Sequence, residues 1–344
     1  MERGLTRRHA SRLVALAALP ACAAACDKPP PIGEHHEVAV ATPPEIWEAL
    51  EPQIVAALEP RTFTVRNERI FDVAYIPPAH DAWRGPLRRM RKILLIGSAH
   101  EPLIAEALTG RDWKRLRLPA VIQLPDVWAQ QQLVTVALLP EAAGPGALEP
   151  LLPKIGEALL ERLKEHARLR MAVTPPNERL AEHLRQVEGF TLAVPGTYDA
   201  SEPEPGVYAF RHEDEGVTPV IQGIAVDSRP RGTVAWTAQA AGEWRARLAE
   251  RLNEPGHVTE ALPRWHEAEV AGHRTLHVQG IWSLPPGGWP GGGPFMSRLV
   301  ECGDRVYLLD AWLYAPGDAK YELMVQLDII LDTFRCPAAG PRDV

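Results

Sequence analysis

Residues 280–336, GIWSLPPGGWPGGGPFMSRLVECGDRVYLLDAWLYAPGDAKYELMVQLDIILDTFRC, constrain the fold more than any other stretch. Over 306–314 the side chains alternate as on a pleated strand. Tyr307, Leu309, Ala311 and Leu313 share one face; Val306, Leu308, Asp310, Trp312 and Tyr314 share the other. Both faces are largely apolar, which predicts a central strand covered on two sides. Asp310 is the odd member and needs a partner if buried, either Arg298 across the hairpin or a backbone amide. Ala315-Pro316-Gly317-Asp318 then stops the strand, because proline cannot extend a ladder, glycine permits a turn and Asp318 is a good N-cap. Leu323, Leu327, Ile330 and Phe334 follow at helical spacing, so a closing helix is expected to lie on the sheet.

The N-terminus reads as an address. Arg3, Arg7, Arg8 and Arg12 precede an apolar run over 13–21 that is too short to span a bilayer, and small residues then lead to cysteine. Two cysteines compete as lipid acceptor. Cys22 has Leu19 three residues before it, with Pro20 between; Cys26 follows three alanines and precedes Asp27-Lys28-Pro29-Pro30-Pro31, a polar, stiff tether. Cys26 is preferred and Cys22 is the alternative. Two or more acyl chains hold a protein stably where one does not. Palmitate-type lipidation and export to a cell-envelope membrane follow as expectations. The net charge of −7 becomes −10 once residues 1–25, with four arginines and one glutamate, are removed. Membrane attachment is therefore expected through acyl chains, and nucleic acid is excluded as a general partner.

Export permits a disulfide, and Cys302 and Cys336 are the cysteines that remain after the signal region. Cys302 sits in a tight turn. The strand leaving that turn and the helix returning antiparallel bring Cys336 back beside it, so the two are expected to pair.

The motifs of this C-terminal stretch carry a resemblance. Gly280 and Trp282, then Gly292-Gly293-Pro294-Phe295, then Tyr314-Ala315-Pro316 with Lys320, resemble the G-x-W, G-G-P-F and Y-A-P-x-x-x-K signature of an uncharacterised family of bacterial envelope lipoproteins, a domain of unknown function. Glu68-Arg69-Ile70-Phe71 and residues 91–96 are similar to that family's first half. The resemblance implies lipidation and an α+β fold, and implies no activity. This chain departs from the family in its long PPGGWPGG loop and in Tyr321, where a second basic residue is common.

The expected architecture is α+β: two lobes of mainly antiparallel sheet with packed helices. A signal segment (1–26) and a tether (27–36) precede a first lobe (37–172) and a second (177–337), divided at Pro175-Pro176. His35 and His36 read as part of a solvated linker, and His166 as a boundary or core residue of a long helix. Basic clusters at Arg84, Arg88, Arg89, Arg91, Lys92 and at Arg111, Lys114, Arg115, Arg117 would suit an anionic partner, though solvated faces paired to local acids are the commoner outcome.

Catalytic motifs are missing from the sequence. It has no G-x-S-x-G, G-x-x-x-x-G-K-[ST], H-E-x-x-H or C-x-x-C. His273 and His277, four residues apart on a strand, stand about 13 Å from each other and cannot share a metal ion. The expected role is non-catalytic binding or scaffolding of an envelope protein, glycan or lipid, with no cofactor or metal. The candidate binding residues are Trp282, Trp289, Gly292, Gly293, Phe295, Asp310 and Tyr314 around the 287–293 loop, where exposed aromatics would clamp a ligand. The alternative is a hydrolase of an envelope polymer or lipid using Asp310, Glu301 or His277.

Overall fold

The computed structural model describes residues 28–59, 61–63, 67–141, 143–214, 219–252, 258–259, 264–284, 291–317 and 320–337. Cys22, Cys26, Trp289, Asp318 and most of the 287–293 loop lie outside them.

The first lobe runs β1 (Glu37–Ala41), α1 (Pro44–Leu58), β2 (Arg61–Phe63), β3 (Asn67–Arg69), β4 (Asp72–Tyr75), β5 (Lys92–Gly97), α2 (Pro102–Ala107), β6 (Ala120–Pro125), β7 (Leu133–Leu138) and α3 (Leu152–Ala172). Its sheet has the order β4-β1-β5-β7-β6. β1 pairs in parallel with β4 and β5, and β5 in parallel with β7; only β6 is antiparallel to its neighbour. The fold is α+β as expected, and this first sheet is mixed. The continuous runs KILLIG and LVTVAL explain it. Every residue of both is buried, as strands covered on both faces require. Ile46, Leu50, Ile54 and Leu58 of α1 cover one face together with Leu152, Ile155, Leu159 and Leu163 of α3. Trp83 and the α2 residues Leu103 and Ile104 cover the other.

The second lobe runs α4 (Glu178–Val187), β8 (Asp199–Glu204), β9 (Val207–Asp214), β10 (Val220–Pro230), α5 (Ala238–Arg251), β11 (Val258–Thr259), β12 (Arg264–Val270), β13 (His273–Ser283), β14 (Gly292–Cys302), β15 (Arg305–Tyr314) and α6 (Lys320–Asp332). All its pairs are antiparallel, in the order β11-β13-β14-β15-β10-β9-β8 with β12 also on β13. β15 is central and buried on both faces: Leu309, Ala311 and Leu313 meet Leu327, Ile330 and Leu331 of α6, while Leu308 and Trp312 lie with Trp244 and Leu248 of α5. His273–Ser283 is one long strand, β13, and it forms a hairpin with β12 that turns at Ala271 and Gly272, whose φ of 52° and 81° place both in the left-handed region. Residues 190–194 contribute only an isolated bridge, Thr191 to Arg335, and Phe190, Leu192 and Val194 point into the core beside α6.

The disulfide is present. Cys302 and Cys336 are bonded, with Cα atoms 5.5 Å apart. It joins the β14–β15 turn to the end of α6.

The lobes meet where α3 packs on α6. Glu68 of β3 accepts from the backbone N–H of Lys320, the first residue of α6, at 3.1 Å, and its other oxygen lies 3.4 Å from Lys320 Nζ. Tyr321 packs on the first lobe's core, where burial pushes its phenol up to about 12.

Residues 28–36 do not form a free tether. They lie along the edge of the first sheet where the parallel strands begin. Ile32 pairs with Met90 in parallel. Gln130 donates to the carbonyls of Lys28 (Nε2, 2.6 Å) and Pro29 (N, 3.0 Å). Arg89 donates to Pro30, Arg91 Nε to Gly33 at 3.2 Å, and Lys92 to His35. Much of the first basic cluster is thus spent satisfying the carbonyls of this strap, an outcome that a count of charges cannot foresee.

Candidate functional site

Of the candidate binding residues that are described, Trp282, Phe295, Asp310 and Tyr314 share one face of the second sheet, and all but Tyr314 are buried. Trp282 is 3% exposed and Phe295 1% exposed, so neither is a surface clamp. Trp282 meets Trp312 edge-on at 5.5 Å and lies 6.4 Å from the partly buried Tyr314. The glycines beside them make room. A Cβ on Gly280 would stand 2.6 Å from the Phe295 ring, and one on Gly293 1.8 Å from the Leu313 carbonyl oxygen. Gly292 similarly abuts the Trp282 carbonyl. The G-x-W and G-G-P-F motifs therefore describe close packing of rings over a glycine-lined sheet.

Asp310 is buried, but its partner is not Arg298. Register explains the correction: Asp310 pairs with Ser297, and Arg298, one residue on, points to the opposite face. There it bonds Asp328 (2.6 Å) and Asp332 (2.9 Å) of α6. Asp310 Oδ1 accepts instead from Ser297 Oγ (2.5 Å) and from Nε of Arg245 on α5 (3.0 Å). The guanidinium stacks on Phe295, 4.2 Å from the ring centroid. Burial pushes the Asp310 carboxyl up, and Arg245 and Ser297 oppose that shift. Sequence reasoning missed Arg245 because it lies 65 residues away.

The alternative acid–base set does not converge. His277 faces α6, stacked on His266 at 4.7 Å, with its pKa lowered to about 4 by burial, Arg298 and His266. Asp310 faces α5, on the other side of the sheet. Glu301 stands four residues along β14 from the Asp310 pairing position, about 13 Å, and is bound to Arg231 at 2.6 Å. His273 lies close to both disulfide sulfurs, yet those sulfurs are bonded to each other and its Nδ1 lies 3.2 Å from the Glu301 carbonyl.

A different site is built at the strap. A cavity of about 320 Å³ opens beside it, lined by Arg91, Lys92, Arg162 and Arg170, with His35 and His166. Three elements supply these groups. The strap gives His35, the start of β5 gives Arg91 and Lys92, and α3 gives Arg162, His166 and Arg170 at intervals of four, one stripe of the helix. No carboxylate stands among the described residues that line the cavity. Nearby acids compensate in part: Glu165 bonds Arg162 at 2.5 Å, and Glu322 of α6 bonds Arg170 at 3.1 Å. Lys92 is 3% exposed, and burial lowers its pKa to about 8. His35 and His166 stack at 3.4 Å. Burial first, then His166 and the cations Arg91, Lys92 and Arg170, lower His35 to about 3, so it is neutral at pH 7. His166 is also lowered, and its buried Nε2 has no hydrogen-bond partner among the described residues. Chemically this lining suits an anion: fixed positive charge, guanidinium forks and a desolvated ammonium. The sequence pointed to Arg91 and Lys92; it missed Arg162 and Arg170, although the four-residue spacing through His166 was visible.

Residues 253–333 match a family model described as a domain of unknown function (DUF4837). The match begins after α5 and ends just past α6, so it covers the hairpins and the glycine-packed aromatics but not the basic cavity. No curated protein matches the chain. Solved structures align partially. A crystal structure from Bacteroides thetaiotaomicron is 10% identical over 44% of this chain and 46% of its own, with a TM-score of 0.27; this chain thus spans under half of its length. Cyanobacterial PsbP (CyanoP) from Synechocystis sp. PCC 6803 is 12% identical over 43% of this chain and 87% of its own, TM-score 0.32. The Ran-binding protein Mog1p of Saccharomyces cerevisiae is 12% identical over 43% and 89%, TM-score 0.30. None of the three bears on function at such scores. Among the described residues no helix is long and apolar enough to cross a membrane.

Proposed function

We propose that this chain is an exported protein held in the cell envelope by acyl chains on Cys26, with Cys22 the alternative, and that it binds an anionic envelope component without transforming it. The observation that carries the binding reading is the convergence of Arg91, Lys92, Arg162 and Arg170 on one cavity that no described carboxylate lines. The scattering of Asp310, Glu301 and His277 over two sheet faces supports binding over hydrolysis. The basic n-region, the short apolar run and the cysteine before a proline-rich polar segment support the anchor.

Two measurements test this. Labelled palmitate marks the wild type and not Cys26→Ser; label that survives there and vanishes in Cys22→Ser moves the anchor, and an unlabelled wild type removes it. Titration calorimetry with inorganic phosphate detects binding to the wild type, with affinity at least about tenfold lower in Arg162→Gln/Arg170→Gln. Equal affinity in that variant, or no heat with the wild type, overturns the cavity as an anion site.

A further inference from the structure

We infer that the cavity takes the phosphate headgroup of an anionic phospholipid in the very membrane that carries the protein's anchor. The inference rests on the anion-binding reading above and names its ligand class. Three observations meet at one place.

The first is position. The strap is fixed from Lys28 onward: Gln130 holds the carbonyls of Lys28 and Pro29, and the next residue, Gln131, lines the cavity. Cys26 lies two residues before Lys28. Two extended residues reach at most ~7 Å. An acylated Cys26 therefore holds this edge of the first sheet, cavity included, at the bilayer surface. From Cys22 the reach is about 20 Å, and the orientation is looser.

The second is the rim. Leu169 and Val173 line the same cavity, four residues apart, and are 59% and 81% exposed. They are two of the five large hydrophobic side chains exposed among the described residues. A soluble anion has no use for exposed leucine and valine beside its site. A headgroup has, because the glycerol and first methylenes lie next to the phosphate. Basic groups flanked by exposed apolar side chains are the pattern of surfaces that sit at the headgroup boundary.

The third is donor chemistry. Arg162 and Arg170 each bond one carboxylate, and a guanidinium has five N–H donors, so each retains donors for a phosphate without surrendering its partner. The chain is acidic overall, so attraction to an anionic surface is local and screened beyond about 10 Å. The anchor offsets this by presenting headgroups at high effective concentration, so a weak pocket suffices.

The test uses the acylated full-length protein carrying Val173→Cys labelled with bimane, reconstituted into vesicles whose acyl chains carry bromine. Quenching is expected in vesicles containing phosphatidylglycerol, weak in phosphatidylcholine alone, and reduced about thirtyfold in apparent headgroup affinity by Arg162→Gln/Arg170→Gln. Equal quenching in both lipids, or none in either, overturns the inference. Inorganic phosphate separates the two levels of the claim. Phosphate binding in solution with an unquenched label means a free anion is the ligand, so the headgroup assignment fails while the anion site stands. Neither phosphate binding nor quenching means that both fail.

Discussion

Lys92 and the Arg245–Asp310 pair show how burial makes single residues consequential. Burial lowers Lys92 to about 8 from 10.5. Its positive charge is present below pH 8 and lost as pH rises through it. Phosphate affinity of the cavity should therefore fall between pH 7 and 9, with a midpoint above about 8 in the complex because the anion raises the ammonium's pKa. Titrations of the wild type and Lys92→Met across that range check this, since the variant should show no such step. The linkage to folding has the opposite sense. The folded state binds fewer protons than the unfolded chain between pH 8 and 10.5, so this lysine's contribution to stability rises with pH there. In the second lobe, Arg245→Met strands the Asp310 carboxylate and should cost about 3–5 kcal/mol in urea unfolding. Adding Asp310→Asn removes the stranded charge and should recover most of that loss. A double variant no better than Arg245→Met would show that the guanidinium's packing on Phe295, not its charge, holds the site.

At the scale of elements, the closing hairpin and helix were legible because their constraints are local. Alternation over 306–314, the Pro-Gly stop and helical spacing from Leu323 each refer to neighbouring residues, and strand length against helix length brought Cys336 to Cys302. That disulfide closes a separation of 34 residues. The chain-entropy model gives about 4 kcal/mol for such a loop. Cys302→Ser/Cys336→Ser should lower the unfolding free energy by up to that amount, and non-reducing peptide mapping of the wild type should show one linked peptide. Less was legible where a partner lies far along the chain. Alternation shows that Asp310 needs a partner but not which: Arg298 and a backbone amide are both open, and only the register, which pairs Asp310 with Ser297, turns Arg298 to the opposite face. The prolines predict a stiff tether and His35 and His36 read as solvated linker, whereas the carbonyls of this segment are claimed by Arg89, Arg91, Lys92 and Gln130. Composition reports a segment's stiffness and not what waits to bind it.

For the whole molecule, two short motifs far apart in sequence turn out to be one joint. Glu68, from the upstream motif, reaches across the lobes to the first residue of α6, the lysine of the Y-A-P-x-x-x-K motif. A carboxylate there accepts from a first-turn N–H and favours the positive end of the helix. Both side chains are mostly buried, 14% and 12% exposed. Glu68→Ala should cost about 1–2 kcal/mol and should split a single unfolding transition if this joint couples the lobes; unchanged stability and one transition would show that the α3–α6 packing suffices. The strap has a mechanical meaning as well. A lipid-held protein feels force through its N-terminus. A pull along the strap loads its bonds to Gln130, Arg89, Arg91 and Lys92 together in shear, whereas a pull away from the sheet peels them singly from Lys28. On the proposed anchor, a pull along the strap would thus be resisted far better than one that lifts Lys28 away from the sheet.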